Sequence, residues 1–259
     1  MLWLAVPLGV AIGLVVGAIG GGGAILALPV LVYVLGEGVG PATTASLIVV
    51  AFAAAIGSGA LAHDHQVCWR TAFAFAGPAV VGSLIGTVAN TSVSARSLIL
   101  AFVPIMLVAA AVTWHRAGGR LVRDDEPCPP VAIGRTALAG SAVGTLTGFF
   151  GVGGGFLIVP ALTMWFGMSF RHAVATSLVV ITFTALFAVS GHIVAGAEMD
   201  VPITFTLAVS TGIGALTGAM VGGRLPQRML GRAFAVLVVA VAVFLLVDTL
   251  LLGGPPQAV

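Results

Sequence analysis

Long apolar runs, each ended by Pro, Gly or charged residues, fill most of the 259-residue chain. A full bilayer crossing needs about 20 apolar residues, and most of these runs approach or reach that length. The pattern predicts ten helical segments, near residues 2–20, 24–35, 42–62, 69–90, 97–114, 133–151, 155–166, 173–194, 201–222 and 233–252. The predicted fold class is therefore an all-α polytopic membrane protein.

The order of segments repeats in the second half of the chain. A shift of 131 positions superimposes glycines and prolines of the two halves, and a shift of 132 continues the match after a one-residue gap. The matched pairs include Gly13/Gly144, Gly17/Gly148, Pro29/Pro160, Ser46/Ser177, Gly82/Gly214 and Gly86/Gly218. This internal duplication predicts a first transmembrane repeat at 1–115, a linker at 116–132 and a second repeat at 133–259.

Each repeat opens with an apolar stretch that is too long for one crossing. As a single helix, the chain from Trp3 to Leu35 would extend roughly 50 Å, against a hydrocarbon core of about 30 Å. Glycine disfavours a helix interior and permits a sharp turn, so a break is expected at the glycine runs. These runs are Gly20-Gly21-Gly22-Gly23 and Gly151-Val152-Gly153-Gly154-Gly155.

The distribution of arginine favours hairpins over continuous crossings at these breaks. If each broken unit folded back, nine arginines would share one side and Arg96 would face the other; if each crossed, the division would be five against five. Basic loops tend to stay cytoplasmic. We therefore predict two inverted repeats, each a Gly-broken hairpin plus three transmembrane helices, about eight hydropathy spans in all. Both termini would lie outside and the linker inside.

Composition narrows the classes of function. Apolar side chains make up 59% of the chain and charged side chains 7%, which excludes an ordinary soluble domain. All ten basic residues are Arg and the net charge is +2, so no basic surface for nucleic acid is expected. The expected partners are the lipid bilayer and a small anion, and a homodimer is compatible with the sequence.

The glycine runs and the helix starts that follow them are candidate binding elements. Backbone N–H groups without side chains would open a short helix at each run, and inverted symmetry would bring two such positive ends together near the midplane. The alternative is that the glycines only allow close helix packing. Hydroxyls at the next helix start could bond a ligand or their own helix. The candidate substrate-binding residues are Gly20, Gly21, Gly22, Gly23, Ser46, Gly151, Gly153, Gly154, Gly155, Thr176 and Ser177.

Ionisable residues inside apolar segments are further candidates. His192 could couple proton movement to transport, and a histidine with a satisfied hydrogen bond is an equal alternative. Asp248 is expected to reach the membrane interface. The spacing of Cys68 and Cys128 implies neither a disulfide framework nor a metal site, and His63-Asp64-His65 lacks further ligands. No metal or cofactor is therefore expected.

The residues also resemble a known family. Gly20-Gly21-Gly22-Gly23 with Pro29 and the later Ala45-Ser46-Leu47, together with Gly151-Val152-Gly153-Gly154-Gly155, Pro160 and Ala175-Thr176-Ser177-Leu178, look like the duplicated signature of TauE/SafE-type sulfite exporters. The resemblance covers nearly the whole chain. It implies a prokaryotic plasma-membrane transporter, usually an exporter, of sulfite or small organosulfonates such as sulfoacetate. One departure is Ala24, which stands where the second half has Gly155.

The sequence thus favours a transporter, not an enzyme, that moves a small oxyanion by alternating access. An intramembrane hydrolase is the first alternative, with Ser58 as nucleophile and His63 as base. It lacks an orienting third group and an oxyanion hole, and the repeat mate of Ser58 is Val189. An anion channel is the second alternative, distinguished by current through a planar bilayer rather than saturable exchange.

Overall fold

A computed structural model describes residues 2–63, 66–90, 95–118, 128–150, 155–194, 196 and 199–252. Every regular element in these ranges is helical, which confirms the predicted class. The α-helices are α1 (Leu2–Ile19), α2 (Ala24–Pro29), α3 (Val39–His63), α4 (Trp69–Asn90), α5 (Ala95–Gly118), α6 (Ile133–Phe150), α7 (Gly155–Trp165), α8 (Phe170–Val194), α9 (Val201–Arg224) and α10 (Gln227–Val247). A 3₁₀ turn at Gly21–Gly23 and π-helical turns at Val30–Val34 and Asp248–Leu252 complete the described elements.

Six of these helices are long and apolar enough to cross a membrane: α3, α4, α5, α8, α9 and α10. Shorter apolar helices precede them in each half, over Trp3–Ile19 and Gly21–Val34 in the first and Gly155–Trp165 in the second. The predicted eight hydropathy spans counted each Gly-broken hairpin as one span. The described helices therefore supply six full-length spans and the shorter pieces of the two broken units.

The first break lies at the predicted glycine run. Gly20 has a φ of 77°, which L side chains rarely adopt, and the helix resumes at Ala24 after the 3₁₀ turn. We call Ala24–Val34 the first arm and α7 the second arm. Leu31 and Leu35, at the far end of the first arm, pack in one cluster with Ala5 of α1. The first arm therefore returns toward the end of the molecule at which α1 begins.

Close helix contacts join the two halves of the chain through glycine. Gly13 and Gly17 of α1 lie against the carbonyls of Thr211 and Ala215 of α9. Gly144 and Gly148 of α6, their repeat mates, lie against the carbonyls of Ala79 and Ser83 of α4. A β-carbon at any of the four glycines would overlap the facing backbone, so small residues set these helix distances.

In each helix pair, residue numbers at the successive glycine contacts increase together along both helices. Helix α1 therefore runs parallel to α9, and α4 runs parallel to α6. The helices therefore define two ends of the bundle. At the Tyr33 end, the first arm, the start of α3 and the ends of α8 and α10 meet. At the Arg116 end, the second arm, the end of α5 and the starts of α8 and α10 meet.

Candidate functional site

A cavity of about 380 Å³ opens in the half of the bundle toward the Tyr33 end. We call it the main cavity. Its walls come from the first arm and from α3, α4, α5, α6, α8 and α10, with Ile158 from the second arm. Most of the lining is apolar, and none of the described lining residues is Arg. The polar side chains that line it are Tyr33, Thr43, Ser46, Ser83, Thr87, Thr147, Thr184 and His192.

Several cavity hydroxyls donate their hydrogen to a carbonyl of their own helix. Ser46 donates to the carbonyl of Thr43 at 2.9 Å, Ser83 to Val80 at 2.8 Å and Thr147 to Gly144 at 2.9 Å. A hydroxyl in this arrangement presents lone pairs to the cavity. To donate to an oxyanion it must first leave its helix carbonyl, so the hydroxyls alone form a weak anion site.

His192 forms a hydrogen bond with a side chain of the facing helix. Its Nδ1 lies 2.9 Å from Oγ1 of Thr44, a residue that is almost fully buried at the start of α3. This bond orients the imidazole, which lines the main cavity. Histidine is the type of side chain that changes charge nearest neutral pH, and His192 is the one histidine among the described cavity residues. Its place in the cavity was not evident from sequence position alone.

The glycine run of the first break does not line the main cavity. Gly21, Gly22 and Gly23 are buried, and the backbone of Gly21 packs directly against that of Gly155. The two breaks therefore lie against each other, but no anion fits between these two glycines. The cavity reaches the first break only at Ala24. Gly151, Gly153 and Gly154 lie outside the described residues.

The predicted hydroxyl residues fall in different surroundings. Ser46 lines the main cavity. Its repeat mate Ser177 is fully buried, donates to the carbonyl of Val174, and lies beneath Gly20. Thr176 is also fully buried and accepts a hydrogen bond from the backbone N–H of Cys68 at 3.1 Å. Repeat-related residues therefore differ in their exposure to the main cavity.

Asp248, which is expected to reach the membrane interface, has its side chain buried within the bundle. Its side chain is 4% exposed and accepts a 2.7 Å hydrogen bond from the hydroxyl of Tyr33, which packs edge-on against Phe244. A related contact occurs at the other end, where Arg116 donates to the carbonyl of Thr163 at 2.9 Å. Arg116 is the repeat mate of Asp248. Each arm is thus bonded to the last helix of the other repeat.

The expectation of separate cysteine thiols is wrong. Cys68, just before α4, and Cys128, just before α6, form a disulfide with their Cα atoms 5.7 Å apart. Their 60-residue separation gave no sequence signal, because the parallel α4–α6 contact is what brings the starts of both helices together.

A second, small pocket of about 10 Å³ lies toward the Arg116 end. Five of its lining residues are repeat mates of residues that line the main cavity. The pairs, main cavity first, are Thr43/Val174, Thr87/Ala219, Leu98/Leu230, Gly148/Gly17 and His192/Leu61. The same structural position is therefore open in one half of the bundle and almost filled in the other.

The hydrolase alternative gains no geometric support from the described residues. Ser58 is buried and donates to the carbonyl of Ala55 at 2.9 Å. Across the described ranges, no three His, Cys, Asp or Glu side chains come together as metal ligands.

Comparison with known proteins decides the family. Residues 5–245, nearly the whole chain, match the family model described as "Sulfite exporter TauE/SafE". The chain belongs to the TauE/SafE family. Membership agrees with the duplicated glycine, proline and serine positions and with the all-helical fold.

Proteins similar to this chain over most of its length are described as probable membrane transporter proteins. One from Xylella fastidiosa (strain 9a5c) is 30% identical over 244 residues, covering 91% of each chain. YunE of Bacillus subtilis is 28% identical over 245 residues, covering 86% of this chain and 88% of its own. MJ0441 of Methanocaldococcus jannaschii is 26% identical over 226 residues, covering 80% and 82%. No solved structure is significantly similar to this TauE/SafE chain.

Proposed function

We propose that this membrane transporter moves a small oxyanion, sulfite or a small organosulfonate, by alternating access between two inverted repeats, 1–115 and 133–259. The observation that carries the proposal is the unequal pair of repeat-related pockets, one of about 380 Å³ and one of about 10 Å³. In a transporter built from inverted repeats, the two halves adopt exchanged conformations, so a site open to one side has a closed counterpart facing the other. The unequal volumes of the two repeat-related pockets support this mechanism.

The contacts between elements support the inverted arrangement. The first arm returns to the end at which α1 begins, and the second arm ends beside Arg116. The first repeat thus starts at the Tyr33 end and the second at the Arg116 end. Described arginines cluster at the Arg116 end, at Arg70, Arg116, Arg135, Arg171, Arg224, Arg228 and Arg232. By the positive-inside tendency, we propose a plasma-membrane protein whose Arg116 end faces the cytoplasm and whose termini lie outside.

The chemistry of the main cavity supports a small anion over a large or strongly charged one. Its volume suits a compact solute, and its described lining offers hydroxyls and His192 but no permanent positive charge. Selective capture of phosphate commonly uses arginine, so phosphate is disfavoured. We propose that the glycine runs shape the path between the two pockets and that Ser46 and His192 contact the anion, with His192 coupling transport to protons.

The test is transport by the purified protein in vesicles, with sulfite, sulfoacetate, sulfate, thiosulfate, acetate and phosphate as competing solutes. We expect saturable uptake in which sulfite or sulfoacetate competes best. Current through a planar bilayer without saturation would indicate a channel. Saturable transport of a cation or neutral amino acid, unaffected by excess sulfite and sulfoacetate, would contradict the anion assignment.

A further inference from the structure

The two repeat-related pockets differ in the basic side chain that lines each one. His192 lines the main cavity, and its repeat mate in the small pocket is Leu61. Arg171 lines the small pocket, and its repeat mate is Gly40, at the start of α3. The duplicated fold therefore has a titratable base at the Tyr33 end and a permanent cation at the Arg116 end.

Each cationic group is held in place by a contact that the other repeat lacks. Thr44 orients His192, whereas the repeat mate of Thr44 is Ala175, which has no hydroxyl. Arg171 donates from Nη2 to the carbonyl of Leu225 at 2.8 Å, at the junction of α9 and α10. The difference between the two ends is thus built into the packing of α3 against α8 and of α8 against α9.

Other titratable groups at the Tyr33 end do not supply this charge. Tyr33 comes from the first arm and is bonded to Asp248 of the π-turn after α10. Glu37 precedes α3 and Asp200 caps the start of α9, and both are acidic. Among the described residues facing the main cavity, His192 is the one basic side chain.

We propose that the anion binds from the Tyr33 end preferentially together with a proton on His192, and from the Arg116 end with Arg171 as its pH-independent partner. This rests on the proposed anion transport and assigns the proton to one side. Anion entry at the Tyr33 end then strengthens on acidification, because the imidazolium is both a charge and a hydrogen-bond donor. Entry at the Arg116 end does not, because a guanidinium stays charged throughout this pH range.

The test measures KM for radiolabelled sulfoacetate in vesicles of purified protein, separately for the two orientations. Both acidic groups of sulfoacetate stay ionised between pH ~5.5 and ~7.5, so the solute does not titrate. A Thr87→Cys variant provides the selection, because Thr87 lies at the Tyr33 end of the main cavity, and the KM of this variant is the reference for every further substitution made in it. An impermeant maleimide added outside the vesicles inactivates the molecules whose Tyr33 end faces outward, so transport by the inward-facing molecules is measured. The same reagent trapped inside the vesicles inactivates the opposite orientation, so only the molecules whose Tyr33 end faces outward remain active.

For the Tyr33 end, we expect KM to be lower at pH ~5.5 than at pH ~7.5, because an imidazolium binds an anion better than a neutral imidazole does. For the Arg116 end, KM should stay constant. His192→Gln, which keeps a polar partner for Thr44, should fix the Tyr33-end KM at its high value at all pH, and His192→Arg should fix it at a low value. Arg171→Gln should raise KM only from the Arg116 end.

Three results separate this inference from the proposed function. Transport with the same pH profile from both ends, or a His192→Gln profile identical to that of the unsubstituted protein, would overturn the sided proton alone. An Arg171→Gln variant with an unchanged KM from the Arg116 end would overturn the role of Arg171. Absence of sulfoacetate and sulfite transport from both ends would overturn the proposed function itself.

Discussion

At the scale of single residues, the hydrogen bond between Tyr33 and Asp248 joins positions 215 residues apart. Asp248 is 4% exposed, so the hydrogen bond that it accepts from the Tyr33 hydroxyl replaces part of its lost hydration. A buried carboxylate that loses its donor keeps the cost of desolvation without compensation. The bond therefore fixes the end of the first arm against α10.

Tyr33→Phe removes this donor while it leaves the ring against Phe244 in place. We expect a loss of about 1–3 kcal/mol in stability, because Asp248 stays buried without its hydroxyl partner. The measurement is thermal unfolding of the purified protein in detergent. The double variant Tyr33→Phe/Asp248→Asn should lose less than the sum of the two single variants. Additive losses would show that the two side chains do not stabilise one another.

Single-residue roles were the part of the structure that the sequence predicted least. Cys68 and Cys128, and likewise Tyr33 and Asp248, lie far apart in the chain and have no local pattern that links them. Their pairing depends on which helices pack together and in which direction. His192 was singled out from the sequence because an ionisable residue inside an apolar helix is costly unless it has a partner or a role, and the structure gives it Thr44 as a partner.

At the scale of elements, the helical segments follow from the lengths of the apolar runs. Each predicted segment corresponds to a helix in the structure, and the first break falls at Gly20–Gly23. The duplicated glycines Gly13, Gly17, Gly144 and Gly148 were recognised as a repeat, but the helices against which they pack were not predicted. The internal repeat of the sequence shows where glycines recur. It does not show which helix backbone lies against them, because that helix belongs to the other half of the chain.

Two glycines of α4 provide a matched test of these packing contacts. A β-carbon at Gly82 would overlap the carbonyl of Ser141 in α6, whereas one at Gly77 meets nothing within 4 Å. Gly82→Ala should therefore lower stability by about 1–3 kcal/mol through overpacking. Gly77→Ala should be neutral or stabilising by up to about 1 kcal/mol, since alanine favours a helix over glycine.

Thermal unfolding of both α4 variants in the same detergent distinguishes the two effects. Equal melting temperatures for Gly82→Ala and Gly77→Ala would mean that the α4–α6 distance is not set by glycine. The equivalent pair for the α1–α9 contact is Gly17→Ala with Gly59→Ala of α3 as control, because a β-carbon at Gly59 also meets nothing within 4 Å.

At the scale of the whole molecule, the disulfide bears on which way the protein faces. Cys68 and Cys128 lie at the Arg116 end, which the arginine distribution predicts to be cytoplasmic. Thiol pools keep most cytoplasmic cysteine pairs reduced, whereas an exported pair of this geometry stays oxidised. The redox state of this pair in cells is therefore a direct report of orientation.

We expect the pair to be a dithiol in intact cells and to oxidise after purification in air. A membrane-permeant maleimide should modify both cysteines in cells and an impermeant one neither, while a cysteine placed at Gln257 should react with the impermeant reagent. Resistance of Cys68 and Cys128 to the permeant reagent, with modification only after reduction, would place the Arg116 end outside. A Cys68→Ser/Cys128→Ser variant gives the background labelling.

The α1–α9 contact also determines when α1 can find its packing partner during synthesis of the chain. α1 emerges from the ribosome first, yet its glycine face fits α9, which is among the last helices made. At translation rates of about 5–20 residues per second, α1 waits on the order of 10–40 s for this partner. The α4–α6 contact likewise crosses from one half to the other. Neither half is therefore an independent folding unit, and a nascent chain interrupted before α9 leaves a glycine-lined helix surface without its neighbour, open to membrane quality control.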